Sequence, residues 1–94
     1  MKKKIIVCDA ILDKGVELLR KAEDIELIEA AKVPKNELMD MLADVEVAIT
    51  RSSTDVDVNF LNHAKKLKAL IRAGVGVDNV DIPECSKRGV IVMN

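Results

Sequence analysis

Two arginines and a pair of glycines carry most of the chemistry this sequence offers. Arg51 opens the run Arg51-Ser52-Ser53-Thr54, and Arg72 precedes Ala73-Gly74-Val75-Gly76-Val77-Asp78-Asn79. A guanidinium presents a planar fork of donors that fits a carboxylate or a phosphate, and neighbouring hydroxyls add to it. Gly74 and Gly76 permit positive φ and let backbone N–H groups approach an anion closely. Both segments suit a small anionic ligand. Each also has a plainer explanation: the glycines make a tight turn with Asp78 and Asn79 as turn residues, and the arginines pair with surface carboxylates such as Asp55 or Asp78. Spacing alone favours the turn for the glycines and leaves the arginines open.

Other constellations fail. The glycine pair is not a dinucleotide fingerprint, because Asn79 stands where a third glycine belongs and the following helix is expected only near Asp81. Asp9 is the single acid expected at the end of the first strand, and the third strand runs into Thr50-Arg51 where a phosphorylatable aspartate would be needed for a receiver domain. His63 is the sole histidine, within an expected helix and without a nucleophile beside it, so it reads as a surface residue. Cys8 and Cys85 form no CxxC pair, which leaves too few ligands for zinc. Cys8 lies inside an apolar run, where a free thiol acts as a small hydrophobe.

The elements that must position these residues alternate. Residues 4–8 form a continuous apolar run of the kind buried on both faces of a parallel sheet. A helical pattern over residues 13–22 follows, with Leu12, Gly15, Val16, Leu18, Leu19 and Ala22 at helical spacing. Strands are predicted at 25–29, 45–50, 67–73 and 90–93. Between them, Pro34 suits the first turn of a helix with Leu38, Met41 and Leu42 on one face. Asp57 is a good N-cap for a helix carrying Leu61 and Ala64, which ends in the basic run Lys65-Lys66-Leu67-Lys68. Asp81 and Glu84 have capping-box spacing around Pro83, and Gly89 fits the left-handed position after that helix. Five strands alternating with four helices predict an α/β fold: a flavodoxin-like, doubly wound parallel sheet of order 2-1-3-4-5 with helices on both faces. Ligands of such sheets bind beyond the carboxyl ends of the strands, where Arg51 and Arg72 end neighbouring strands.

Composition narrows the classes. Ninety-four residues allow one domain. With 15 Lys plus Arg against 16 Asp plus Glu, the net charge of -1 gives no footprint for nucleic acid or an anionic membrane. Phe60 is the sole aromatic residue, so no platform for stacking bases exists. No stretch approaches the length of a membrane span and no signal peptide is recognisable, so a cytoplasmic, reduced protein is expected. The chain stops at Asn94, directly after the last strand and without a closing helix, which leaves one sheet edge and one flank apolar and reads as a cut.

The residues also carry a likeness. The stretch from Leu67 to Asp81, the motif Arg51-Ser52-Ser53-Thr54 and the run Lys87-Arg88-Gly89-Val90-Ile91-Val92-Met93-Asn94 together resemble the substrate-binding domain of D-2-hydroxyacid dehydrogenases. The arginine before Ala73-Gly74 leans toward the D-3-phosphoglycerate dehydrogenase branch. The likeness covers essentially all 94 residues. It implies that residues 1–94 are an incomplete substrate-binding domain, with the Rossmann cofactor domain absent from this chain. It implies further that Arg51, Ser52 and Arg72 face a substrate phosphate, while the backbone of Gly74, Val75 and Gly76 meets the substrate carboxylate. Val75 would also lie near the nicotinamide of NAD, and Asn94 at the hinge between domains. The parent enzyme would oxidise 3-phosphoglycerate to 3-phosphohydroxypyruvate, the entry to serine biosynthesis, as a homo-oligomer. The family's catalytic histidine, glutamate and arginine have no counterparts here, so the chain alone is expected to be inactive. The alternatives are a glyoxylate or hydroxypyruvate reductase of the same family, or a stand-alone flavodoxin-like binding module.

Overall fold

Apolar runs without a polar break must be covered on both sides, and the chain meets this by laying five short strands side by side. The computed structural model describes residues 3–11, 13–73 and 79–93. Strands β1 (Lys3–Val7), β2 (Ile25–Glu29), β3 (Val47–Thr50), β4 (Ala69–Arg72) and β5 (Ile91–Met93) alternate with helices α1 (Asp13–Lys21), α2 (Lys35–Met39), α3 (Val58–His63) and α4 (Ile82–Lys87). All pairings are parallel and the order is β2-β1-β3-β4-β5, as the sequence predicts. Parallel neighbours require crossovers, and the four helices supply them.

The two faces are covered unequally. Ile6, Ala48 and Leu70 pack with Leu38 of α2, Phe60 and Leu61 of α3 and Cys85 of α4 in the larger core. Ile5, Val7 and Ile49 form a smaller core on the opposite face, against Leu19 of α1. Toward β5 that second face opens to solvent, with Ile91 64% and Met93 45% exposed.

Local signals explain most boundaries. Asp57 caps α3, its Oδ1 accepting from Phe60 N at 2.9 Å, and Asp81 caps α4 by accepting from Glu84 N at 3.1 Å. Gly89 follows α4 with φ of 73°, where a side chain would be strained. Four expectations need correction. The strands expected at 45–50 and 67–73 begin two residues later, because Val45 and Leu67 are buried in turns, their N–H groups donating to Leu42 O and Ala64 O. Pro34 precedes α2 as its N-cap residue and stands outside the first turn. Leu18 is 72% exposed, since it lies about 200° around α1 from the buried Val16. The basic run at 65–68 follows α3 in a turn with all three lysines exposed.

Candidate functional site

The site is built around one buried acid. Residues 8 and 9 extend past β1, and Asp9 is only 4% exposed there. A carboxylate out of water needs donors for its lone pairs, and this one finds four. Its Oδ2 accepts from Arg51 N at 2.6 Å and Thr54 N at 3.1 Å. Its Oδ1 accepts from Thr54 Oγ1 at 2.7 Å and Lys35 Nζ at 2.9 Å. Burial by itself would raise the Asp9 pKa. The hydrogen bonds from Thr54, Arg51 N and Lys35, with the charge of Lys35, outweigh that and hold it below the ordinary 3.8. Lys35, at the start of α2, also donates to Thr54 Oγ1 at 2.7 Å and to Cys8 O at 3.3 Å.

The turn from Arg51 to Thr54 is thus held by its N–H groups, and its carbonyls are held from the other side. Asn79 Nδ2 donates to Arg51 O at 2.7 Å and to Thr54 O at 2.6 Å. Its Oδ1 accepts from Arg72 Nε at 2.9 Å. Asn79 is itself fixed, because its backbone O accepts from Val56 N at 2.8 Å beside a parallel bridge between Val56 and Val80. Thr50 and Arg72 are register partners at the ends of β3 and β4, and Ala73 N donates to Thr50 O at 2.7 Å.

The structure places the expected site residues in three groups. Arg51 and Ser52 are exposed at the carboxyl end of β3, and Arg51 Nη1 donates to Ala10 O at 3.4 Å. Arg72 is 8% exposed and is joined to Arg51 through the single carboxamide of Asn79. Of the two surface carboxylates considered as partners for the arginines, Asp78 lies outside the described residues. Gly74, Val75, Gly76 and Asp78, with Asn94, lie outside the described residues. His63 is exposed on α3 with Nδ1 2.7 Å from Asn59 O, in line with a surface role.

Sequence reasoning missed three contributors. Lys35 had no motif to mark it. Asn79 reads as a turn residue, and Asp9 reads as an acid at a strand's carboxyl end and as half of a phosphoacceptor site, with nothing to mark it as the anchor of the 51–54 turn. One signal was available for Asp9: an acid directly after a fully apolar strand has to be satisfied by whatever loop lies alongside.

The arrangement favours an anion on the Arg51 side. A cavity of about 280 Å³ lies behind the turn, but Asp55 and Asp57 line it beside Lys35 and would repel an acid. The described residues do not fit the pyrophosphate of a dinucleotide, since Asp9 occupies the turn after β1 where a glycine-rich loop would be required. No group of three or more His, Cys, Asp or Glu among the described residues could hold a metal. Among them, too, no helix is long and apolar enough to cross a membrane.

Comparison with known proteins gives this geometry a context. Residues 5–94 match the family described as D-isomer specific 2-hydroxyacid dehydrogenase, catalytic domain. The chain is 36% identical over 91 residues to D-3-phosphoglycerate dehydrogenase of Methanocaldococcus jannaschii, covering 97% of this chain but 17% of that protein. It is 35% identical over 95 residues to glyoxylate reductase of Thermococcus litoralis, covering 100% of this chain and 29% of the other. The solved structure of NAD+-bound 3-phosphoglycerate dehydrogenase from Entamoeba histolytica superposes with a TM-score of 0.78 at 31% identity, covering 100% of this chain and 33% of that one.

Proposed function

The chain belongs to the D-isomer specific 2-hydroxyacid dehydrogenases, and from this premise we infer that it is the substrate-recognition part of a phosphoglycerate dehydrogenase. The whole protein would oxidise 3-phosphoglycerate to 3-phosphohydroxypyruvate with NAD, as a cytoplasmic homo-oligomer at the entry to serine biosynthesis. NAD would be held mainly outside these residues, and the chain by itself is expected to catalyse nothing. The observation that carries the reading is the placement of Arg51 and Arg72 at the carboxyl ends of adjacent strands, with one carboxamide bonded to the Arg51 main-chain O and to Arg72 Nε. A phosphorylated acid has more negative charge to neutralise than glyoxylate or hydroxypyruvate, and two arginines in one place answer that need. In this reading Arg51 and Ser52 donate to the phosphate from the exposed turn, and Arg72 adds its charge from beneath. The segment Gly74, Val75 and Gly76 offers backbone N–H groups to the carboxylate, with Val75 also beside the nicotinamide.

The test is an assay of the complete gene product for NADH formation from 3-phosphoglycerate and for reduction of glyoxylate and hydroxypyruvate. The expected result is a preference for the phosphorylated acid. Arg51→Ala should raise KM for it about 10- to 100-fold, the worth of a charged hydrogen bond. A wild-type protein that reduces glyoxylate and ignores 3-phosphoglycerate would place the chain with the reductases instead.

A further inference from the structure

The four backbone groups at the ends of the 51–54 turn are divided between two side chains. Asp9 takes the N–H groups of Arg51 and Thr54, and Asn79 takes their carbonyls. The two anchors differ in reach. Asp9 ties the turn to the end of β1 and to Lys35 of α2, whereas Asn79 ties it to Arg72. Both donors of the Asn79 carboxamide are therefore used on the 51–54 turn, and its oxygen on Arg72 at the end of β4. Its backbone is locked by Val56, so the carboxamide acts as a fixed strut.

We propose that Asn79 is a positioning residue that holds the Arg51–Thr54 turn in register with the Arg72 guanidinium and thereby sets the preference for a phosphorylated over an unphosphorylated 2-hydroxy acid. The proposal rests on the reading that the whole protein acts on such acids. It follows from geometry: Asn79 bonds to the main-chain carbonyl of Arg51 and to Nε of Arg72, so one carboxamide ties the turn that carries Arg51 to the Arg72 guanidinium. A small displacement of a binding group far from the chemistry costs large factors in rate.

Asn79→Asp separates the two duties. An aspartate keeps an acceptor for Arg72 but has no donors, so it repels the carbonyls of Arg51 and Thr54. In the complete gene product, this variant should lower the ratio of kcat/KM for 3-phosphoglycerate to that for D-glycerate about tenfold, with KM for NAD unchanged. Asn79→Ser, which retains one donor, should fall between, and it carries the test if the aspartate variant does not fold. Equal losses on both acids, or no change in the ratio, would reduce Asn79 to a structural residue and overturn the proposal. Hydrogen–deuterium exchange across residues 51–54 keeps the two readings apart. If the wild-type enzyme ignores every phosphorylated acid, the functional reading and the specificity role fall together. Faster exchange in Asn79→Asp would then still establish the strut as purely structural.

Discussion

The two ends of β1 handle charge in opposite ways. Near its start, Lys4 pairs with Asp44 and Glu26, and all three side chains are a third to a half exposed. Just past its end, Asp9 is almost fully buried and takes four donors from Arg51, Thr54 and Lys35. The first cluster trades water for an ion pair of similar worth, so little depends on it. The second has surrendered water altogether, so each donor must be present. Charge at the amino end of the sheet serves the surface. At the carboxyl end it fixes a loop, and the loop carries the candidate site.

The contrast breaks most visibly at Asp9. Asp9→Ala leaves the N–H groups of Arg51 and Thr54 without their acceptor and should cost on the order of 2–4 kcal/mol. Urea unfolding would register this as a lower midpoint with an unchanged slope. A loss no larger than that of a surface substitution would mean that the turn does not depend on its anchor.

Acid sharpens the same contrast. The carboxyls of Asp9, Glu29 and Asp44 all lie below their ordinary values: for Glu29 and Asp44 the leading cause is a hydrogen bond from Arg20 and Lys4 respectively. A depressed carboxyl contributes stability above its unfolded value, about 4, and the contribution disappears as pH falls through the folded value. Stability should therefore drop below about pH 4. At about 1 M salt, where screening acts within about 3 Å, the shares of Glu29 and Asp44 should shrink and that of Asp9 persist. Urea midpoints measured against pH at two salt concentrations would check this, and the acid-sensitive part remaining at high salt should vanish in Asp9→Asn. The smallest effect belongs to the other end of the strand. Asp44→Asn should leave the midpoint at neutral pH within error, and a clear shift would dissolve the distinction between the two ends.

Fold and site were not equally legible. Apolar runs and caps announce the sheet: the uninterrupted run at β1, the aspartates before α3 and α4, and Gly89 each have one dominant local cause. The crossover rule and the doubly wound pattern narrow their order in the sheet to a few choices, of which 2-1-3-4-5 is one. Boundaries blurred where a buried residue stands in a turn, as Val45 and Leu67 do, because apolarity reports burial and does not specify backbone conformation. The arginines were visible because their residue type already suggests an anion. Asn79 was not, since a carboxamide has the same sequence signature in a tight turn as in a strut, and only the fold brings position 79 against 51, 54 and 72. Lys35 was hidden for a similar reason: its partners are 26 and 19 residues away in the chain.

One buried thiol beside the site gives that region a clock. Cys8 is fully buried next to Asp9, and its carbonyl accepts from Lys35. Burial first, and the neighbouring Asp9 charge second, push its pKa up to about 12, while Lys35 offsets part of the rise. At neutral pH the closed protein presents almost no thiolate there, and the thiolate is the form that reacts. Alkylation of Cys8 therefore proceeds through excursions that lift the 51–54 turn or the larger core, and its rate counts those openings. An anion that seats on the turn would make the excursions rarer, so occupancy of the site would be written into the lifetime of a sulfhydryl that never touches the ligand.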